Sequence, residues 1–325
     1  MKRRSLLIAP LGLIAPFGLA PLQATAEKFP SRTVKVVVPW PAGGFVDAVT
    51  RAVTTRLSSD WGTPIIVENK PGAEGSIGST FVAQSAPDGY TWLIGTLTTT
   101  TAPSLTHVSW NPVSDFSGVA MLAASALIAV VPASLPASSL KDFVALAKRE
   151  PGKLNYLNSA IGSATHLNTE LLKRKEHIDL VSVLYAGQPP GVPDLVSGRL
   201  QFALLQIQVA APLIKAGKVK PLAVSFPKRI SDFPSVPTFA EAGFPEANVI
   251  ASDYIVVPKH TPRNVVATIA AAVQKTLLDP DVRRRIETAG AVVSAPTTPE
   301  QVDAFLKADT ARWGQFFKEN KVIVK

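Results

Sequence analysis

Short runs of β-branched and aliphatic residues alternate with amphipathic stretches of helix length along most of the chain. This alternation constrains the fold most strongly, because consecutive strand, helix and strand segments form right-handed units whose two strands are parallel. The pattern predicts strands at 35–38, 65–68, 91–95, 154–158, 180–185, 201–205 and 222–225, and helices at 46–57, 79–86, 139–149, 165–175, 192–197 and 210–216. We therefore predict an α/β protein with mainly parallel sheets.

The chain has 325 residues, which suggests two domains of about 150 residues each. Its C-terminal part differs from the rest, because the predicted helices at 263–278, 281–289 and 299–320 surround a single strand at 291–294. One strand cannot form a sheet alone, so we expect this part to return to the first domain. The chain then crosses near 126–131 and 251–256, with hinges near Val130 and Ser252. The predicted lobes are 27–128 with 253–325, and 129–252.

Residues 1–26 have the three parts of a secretory signal peptide. Basic residues at positions 2–4 precede an uncharged apolar stretch at 5–22, and Ala24 and Ala26 form an A-x-A cleavage site. Prolines within the apolar stretch argue against the alternative, a permanent membrane anchor. We predict cleavage after Ala26 and export to the periplasm. The pair Arg3 and Arg4 leaves open whether export follows the general or the twin-arginine route.

The residue types and motifs that are absent exclude several classes of catalytic site. The sequence has no cysteine, which excludes thiolate metal sites, cysteine nucleophiles and thiol redox motifs. Its four histidines are not spaced to chelate a metal from one helix face, and it lacks a Walker loop, a dinucleotide-binding fingerprint and a nucleophile elbow. The basic residues behind the net charge of +9 are scattered. We predict no cofactor, no metal and no nucleic-acid partner.

Two glycine-containing loops each connect a predicted strand to the helix that follows it. The first covers 39–47 and includes Gly43, Gly44 and Asp47, and the second covers 158–165 and includes Gly162. Glycine lets the backbone turn sharply and expose N–H groups, and a helix start adds the positive end of a dipole. Facing each other across a cleft, the loops would bind a carboxylate without an arginine. The alternative is two ordinary connecting loops, in which Asp47 caps its own helix.

The sequence also carries a family resemblance, on segments spread over nearly the whole chain after residue 26. These segments are 29–31, 36–39, 41–44 with Asp47, 67–73, 75–78, 86–90, 151–156, 214–218, 236–238 and 241–243. Each is weak alone, but their order and spacing are specific. On these segments the chain resembles the solute-binding receptors of tripartite tricarboxylate transporters, the Bordetella uptake gene (Bug) family.

The resemblance implies a type II periplasmic binding-protein fold, with two α/β lobes, a central cleft and two crossing hinge strands. It implies a monomeric receptor without catalytic activity that binds a small carboxylate and delivers it to membrane permease subunits. The expected ligand-binding residues are Pro41, Ala42, Gly43, Gly44, Phe45, Asp47, Thr96, Ser159, Gly162, Ser163, Thr165, His166, Tyr185, Ala186, Gly187, Leu205 and Tyr254.

The sequence departs from the family pattern at positions that bear on the ligand. The two residues after the glycine pair, often small and hydroxylated in the family, are Phe45 and Val46. Ala186 replaces a common Lys, Arg or Gly, an acid common near Leu205 is missing, and residues 252–254 replace a tryptophan-containing segment. These changes remove charge and add apolar area, so we expect a carboxylate with an apolar, aromatic body. The alternative is that Phe45 packs within its own lobe.

Two other functions are compatible with the same residues. A receptor of this fold can deliver its ligand to a signalling protein instead of a transporter, and neighbouring genes for permease subunits or for a histidine kinase would separate the two roles. Ser163 and His166 could also form a nucleophile and base in a hydrolase, although no orienting acid is evident.

Overall fold

The computed structural model describes residues 29–185 and 187–320. The predicted signal peptide, its cleavage site and Ala186 therefore lie outside the described residues. The strands are β1 (Val34–Val38), β2 (Ile65–Asn69), β3 (Thr91–Gly95), β4 (Phe116–Ser125), β5 (Leu127–Pro132), β6 (Leu154–Asn158), β7 (Leu180–Leu184), β8 (Phe202–Gln206), β9 (Val219–Ser225), β10 (Ala251–Pro258) and β11 (Ala291–Val293). The α-helices are α1 (Phe45–Trp61), α2 (Ser76–Ala83), α3 (Leu97–Leu105), α4 (Leu140–Arg149), α5 (Ala164–Glu176), α6 (Val192–Val196), α7 (Ile207–Lys215), α8 (Arg263–Leu277), α9 (Pro280–Thr288) and α10 (Pro299–Asn320).

The strands form two separate sheets, which define the two lobes. The first sheet has six strands in the order β11-β4-β10-β3-β1-β2, and the second has five in the order β7-β6-β8-β5-β9. The chain leaves the first sheet between β4 and β5 and returns between β9 and β10. Two α/β lobes joined by two crossings are thus confirmed, while the residue boundaries of the lobes stay a prediction.

The prediction of mainly parallel sheets is wrong. Strands β1, β2 and β3 pair in parallel, as do β6, β7 and β8. Strands β4, β10 and β11, and the strands β5 and β9, pair antiparallel with their neighbours. The reason is the double crossing. Strand β10 enters from the second lobe beside the end of β3, where Tyr254 pairs with Gly95, and so runs opposite to it.

The sequence pattern missed α3 and β4. Threonine and an interior proline, Pro103, make residues 97–105 poor helix formers in isolation. Tertiary contacts stabilise α3 instead, because its residues from Leu97 to Ala102 are buried. The Thr100 hydroxyl lies 2.9 Å from the Leu97 carbonyl and 2.6 Å from the Asp309 carboxylate on α10, and it shares its one hydrogen between these two acceptors.

The last helix, α10, packs against both lobes. Val302 and Leu306 belong to a buried cluster of the first lobe with Phe116. Trp313 and Phe317 belong to the large buried cluster of the second lobe. The C-terminal part was expected to return to the first lobe. Only the first part of α10 packs there, and its last turns pack in the second lobe. Within the described residues, no helix is long and apolar enough to cross a membrane.

Candidate ligand-binding site

A cleft of about 560 Å³ lies between the lobes. Its walls come from the loop after β1 and the start of α1, the start of α3, the loop after β6, the turn after β7, the start of α7 and the beginning of β10. The lining residues are Trp40, Pro41, Ala42, Gly43, Gly44, Phe45, Val46, Thr96, Leu97, Thr98, Leu127, Ser159, Ala160, Ser163, Ala164, Thr165, Gly187, Gln188, Pro189, Pro190, Gln206, Gln208, Val209, Ala251, Ser252 and Asp253.

Four helices begin at the cleft, namely α1, α3, α5 and α7. Each follows directly on a strand, β1, β3, β6 or β8, whose carboxyl end lies at the cleft edge of its sheet. Helix starts carry partial positive charge and unpaired N–H groups, so together they favour an anion. The sequence predicted the starts of α1 and α5 as anion sites. It missed α3, and it placed the start of α7 three residues too late.

The start of α1 is open. Its N-cap, Gly44, makes no side-chain capping bond, and the first intrahelical bond runs from the Ala48 N–H to the Gly44 carbonyl. The backbone N–H groups of Gly44, Phe45 and Val46 therefore have no hydrogen-bond partner among the described residues, and all three residues line the cleft. These are the groups that α1 can offer to a carboxylate.

Gly43 and Asp47 stabilise the conformation of the loop before α1. Gly43 has the positive φ of 78° that favours glycine. Its N–H donates to the Asp47 carboxylate at 2.9 Å, so it is not free for a ligand, contrary to expectation. Asp47 also accepts from Arg51 and Asn69 and does not line the cleft. Burial raises the pKa of Asp47, but its hydrogen bonds from Arg51, Gly43 and Asn69 outweigh this and hold the pKa below the ordinary value.

The loop before α5 is largely closed by its own contacts. The Gly162 N–H donates to His166 Nδ1 at 3.2 Å, so this expected ligand contact is also already used. The Ile161 N–H donates to the carboxylate of Glu74, in the first lobe, at 3.1 Å. The N-cap Ser163 accepts from the His166 N–H. Only the N–H groups of Ala164 and Thr165 lack partners among the described residues at this helix start.

Three hydroxyl groups line the second-lobe wall in a chain. Thr165 lies 2.8 Å from both Ser159 and Ser163, oxygen to oxygen, and Ser163 donates to the Ala160 carbonyl at 2.6 Å. A hydroxyl has one hydrogen, so Thr165 must donate to Ser163 and Ser159 to Thr165. All three hydrogens are then used within the wall. In this arrangement a bound carboxylate relies on backbone N–H groups.

The same contacts bear on the hydrolase alternative. The Ser163 hydroxyl donates to Ala160 and not to His166. His166 is buried outside the cleft lining, and its Nδ1 accepts from Gly162. Burial lowers the pKa of His166, with a smaller opposing effect of Glu170. The Ser163 hydroxyl and the His166 imidazole are therefore not hydrogen-bonded to each other in this structure, so the geometry does not support them as a nucleophile and base.

Tyr254 and Leu205 lie in the core and Tyr185 is half-buried against it, and none of the three lines the cleft. Tyr254 is 0% exposed and donates to the Thr96 carbonyl at 3.0 Å, because it lies on the buried face of β10. The Tyr185 hydroxyl donates to Asp194 at 2.6 Å, and Leu205 is fully buried in the second lobe. The expected residues that do line the cleft are Pro41, Ala42, Gly43, Gly44, Phe45, Thr96, Ser159, Ser163, Thr165 and Gly187.

Phe45 combines the two roles considered for it. Its side chain belongs to the core cluster of the first lobe, beside Val49 and Trp92. It is 7% exposed and still lines the cleft. Phe45 therefore belongs to the core of its lobe and also borders the cleft.

The sequence reading missed several polar residues of the lining. Gln188, Gln206 and Gln208 form a side-chain network on the second lobe, in which Gln188 accepts from the Gln206 N–H at 2.9 Å. Asp253, on β10, is the one ionisable residue in the lining among the described residues. It is 3% exposed, and burial raises its pKa to about 8. The only sequence signal for it was the unusual segment 252–254.

Nothing in this site suits a resident metal. The lining contains no histidine, and no group of three His, Asp or Glu residues able to hold a metal ion occurs in the described part of the chain.

Comparisons with known proteins agree with the cleft geometry. The sequence profile of the tripartite tricarboxylate transporter family receptor matches residues 49–322. The periplasmic binding protein BugD superimposes with a TM-score of 0.80, at 31% identity, over 91% of this chain and 100% of that one. Rpa4515 of R. palustris, solved with adipate, gives 0.81, at 32% identity, over 89% of this chain and 97% of that one.

A third solved structure, MatC from Rhodopseudomonas palustris with bound malate, gives a TM-score of 0.79 at 33% identity, over 88% of this chain and 99% of that one. These similarities extend over both lobes and confirm the type II periplasmic binding-protein fold expected from the sequence. The chain therefore belongs to the tripartite tricarboxylate transporter receptor family, in its Bug branch, and is a solute-binding receptor.

Proposed function

We propose that this receptor is exported to the periplasm, loses residues 1–26, and captures a small carboxylate whose body is apolar and aromatic. The observation that carries the proposal is the chemistry of the cleft. Four helix starts supply positive potential, two of them, α1 and α5, supply free N–H groups, and the described lining contains no Lys, Arg or His. Such a site holds one carboxylate through hydrogen bonds and leaves the rest of the ligand against apolar walls.

Phe45 supports the choice of an aromatic body. Phe45 is the first residue of α1 and lines the cleft together with its chain neighbours Gly44 and Val46, whose N–H groups are free. A carboxylate bound there would place the atoms attached to it against the exposed part of the ring. Aromatic pairs add ~0.5–1.5 kcal/mol beyond the burial of area. Adipate and malate, bound by two relatives, are aliphatic, so the aromatic body is specific to this proposal.

We further propose that the lobes divide at 128/129 and 252/253 and close over the ligand. Two hydrogen bonds already join the lobes beside the cleft. The Glu74 carboxylate accepts from the Ile161 N–H at 3.1 Å, and the Thr101 hydroxyl donates to the Gly162 carbonyl at 3.2 Å. In the open receptor both bonds would be broken, so ligand release requires a motion at the two crossings.

The partner proposed for the loaded receptor is the pair of permease subunits of a tripartite transporter, and the receptor acts as a monomer. Delivery to a signalling protein is the second candidate role, because the same cleft serves both. Pull-down of membrane proteins from the native host by the loaded receptor would separate them. Recovery of permease subunits supports transport, and recovery of a histidine kinase supports sensing.

A thermal-shift screen against mono-, di- and aromatic carboxylates tests the ligand proposal, because a ligand that binds only the folded state raises the melting temperature. We expect benzoate-like acids to give the largest shifts. If small dicarboxylates stabilise the protein and benzoate-like acids do not, the aromatic ligand is wrong while carboxylate capture stands. If no carboxylate stabilises it, carboxylate capture itself is wrong. The mass of the periplasmic protein, which should begin at Glu27, tests export.

A further inference from the structure

Asp253 is out of place in an anion-binding cleft. It lies near the start of β10, where the chain returns to the first lobe, and pairs with Ala123 of β4. Its neighbours Ala251 and Ser252 line the cleft with it. The side chain is 3% exposed, and its Oδ2 atom is buried without a hydrogen-bond partner among the described residues.

A buried carboxyl group without a partner is unfavourable to the fold, whichever protonation state it adopts. No salt bridge or side-chain hydrogen bond to Asp253 occurs in the described part of the chain, and burial alone accounts for its raised pKa. By contrast, the buried carboxylate of Asp47 and the half-buried one of Asp309 have hydrogen-bond partners. The missing partner of Asp253 is therefore best supplied from the cleft, by the ligand.

Three groups on a ligand could meet this carboxyl. An ammonium group requires the ionised form, whose charge would have to be kept in a site from which burial excludes water. A second carboxylate requires the protonated form and places two acids side by side. A hydroxyl is both donor and acceptor, so it satisfies Asp253 in either protonation state. The hydroxyl is the group that the surroundings favour.

We propose that Asp253 is a specificity-determining residue of the cleft, which recognises a hydroxyl group carried on the body of the carboxylate ligand. The inference rests on the proposed capture of a carboxylate and narrows it to hydroxylated acids. In the complex, the helix starts hold the carboxylate while Asp253 exchanges a hydrogen bond with the hydroxyl. An acid of the same shape without the hydroxyl leaves Asp253 unpaired and binds more weakly.

The test uses matched pairs of acids and two variants of the full mature chain. Benzoate is compared with 2-, 3- and 4-hydroxybenzoate, and succinate with malate, by calorimetry. Asp253→Leu removes the polar group at similar size, and Asp253→Asn keeps a hydrogen-bonding side chain of the same shape. Aminomethylbenzoates, whose amino group is protonated at neutral pH, test the ammonium alternative in the same series.

We expect the native protein to bind the best hydroxylated acid of a pair at least tenfold more tightly than its unsubstituted partner. Asp253→Leu should reduce this ratio to about one, and Asp253→Asn should retain most of the ratio. A ratio that is near one in the native protein, or unchanged in Asp253→Leu, overturns the inference, as does tighter binding of an aminomethylbenzoate than of every hydroxybenzoate.

The experiment distinguishes failure of the proposed carboxylate capture from failure of the proposed role of Asp253. If neither acid of either pair binds the native protein, carboxylate capture fails and the inference with it. If the acids bind but the hydroxylated members gain nothing, only the role of Asp253 fails. Should Asp253→Leu not fold, Asp253→Ala, which also removes the carboxyl group, takes its place in the comparison with the native protein and with Asp253→Asn.

Discussion

The starts of α1 and α5 look alike in the sequence but differ in what they leave available. Both follow a strand through a glycine-containing loop, and both line the cleft. At α1, the N-cap Gly44 makes no side-chain bond, and three successive N–H groups are free. At α5, the side chains of Ser163, His166 and Glu74 already accept hydrogen bonds from most of the N–H groups of the loop and first turn. A glycine-rich helix start is therefore an anion site only to the extent that its own side chains leave it open.

The difference assigns unequal parts to the two lobes. We expect α1 to contribute most of the hydrogen bonds to the carboxylate, through Gly44, Phe45 and Val46. We expect α5 to contribute those of Ala164 and Thr165 and to serve mainly as a preformed wall. Glu74, on the opposite lobe, accepts a hydrogen bond from the α5 loop. The presence or loss of this bond therefore indicates whether the two lobes are closed.

The largest effect should come from removing an N–H group at α1. Gly44 has a φ of −78°, which proline can adopt, and proline lacks the N–H. Gly44→Pro should weaken carboxylate binding by ~1.5–3 kcal/mol, the contribution of a hydrogen bond to a charged group. Gly44→Ala keeps the N–H and meets the same neighbour, the Pro41 carbonyl at 3.4 Å, so it is the matched control. Equal affinities of the two variants in calorimetry would show that the Gly44 N–H does not bind the carboxylate.

A smaller and more selective effect is expected at Phe45. Phe45→Ser should weaken aromatic acids by roughly 1–3 kcal/mol and aliphatic diacids much less. Because the ring is also part of the core, this variant will lose fold stability too. Phe45→Leu keeps most of the apolar volume and isolates the contribution of the ring. If the native protein binds small dicarboxylates tightly and benzoate-like acids not at all, the aromatic ligand is contradicted.

At α5 the expected change is in stability more than in affinity. Ser163→Ala removes the helix cap and should lower the free energy of unfolding by ~1 kcal/mol. Ser139 caps α4, away from the cleft, by accepting from the Asp142 N–H at 3.1 Å, so Ser139→Ala is the control. Both variants should melt earlier by similar amounts. A loss of affinity in Ser163→Ala as large as that in Gly44→Pro would mean that the two helix starts are equivalent.

The smallest effect should appear in the dependence of stability on pH. Burial lowers the pKa of His166 below its ordinary 6.5, so below that pH the unfolded chain binds a proton more readily than the folded one. The contribution of His166 to the free energy of unfolding is then fully present above pH 6.5, and it is lost as the pH decreases toward the folded-state pKa. The pKa of Asp47 lies below 3.8, so the α1 loop should keep its support until the pH is lower still.

Urea unfolding between pH 5 and pH 7.5 measures this difference. The native protein should lose stability over that range as the pH falls, and His166→Gln, which cannot titrate, should lose less. Parallel curves for the two proteins would contradict the assignment of the acid sensitivity to the α5 loop.

Much of the fold was accessible from periodicity, because local patterns and packing agree. The helix Pro299–Asn320 and the strands Thr91–Gly95 and Leu154–Asn158 were predicted with their observed bounds. Helix α3 was not predicted, because threonine has a low helix propensity. The helix is stabilised by contacts with residues far away in sequence, such as that of Thr100 with Asp309. The antiparallel pairs were missed because they depend on the path of the chain between lobes.

The site was predictable at the level of loops and not of atoms. Glycines after strands located the loops around Gly44 and Gly162. Whether an N–H is free depends on partners far away in sequence, such as Glu74, which is 87 residues from Ile161. Tyr254 and Asp253 are adjacent, yet one is in the core and the other lines the cleft. The sequence shows that successive side chains of β10 point to opposite faces of the sheet. It does not show which strands and helices pack on each face, and these determine which side chain is in the core.

The most direct test of the central claim is an amide NMR titration of the nitrogen-15-labelled mature protein with benzoate. The account predicts that the largest shift changes occur at the amides of Gly44, Phe45 and Val46, followed by those of Ala164 and Thr165. The amide of Leu140, at the start of α4 away from the cleft, should not move. Saturable binding that leaves the Gly44 to Val46 amides unchanged, or no binding of benzoate at all, would contradict it.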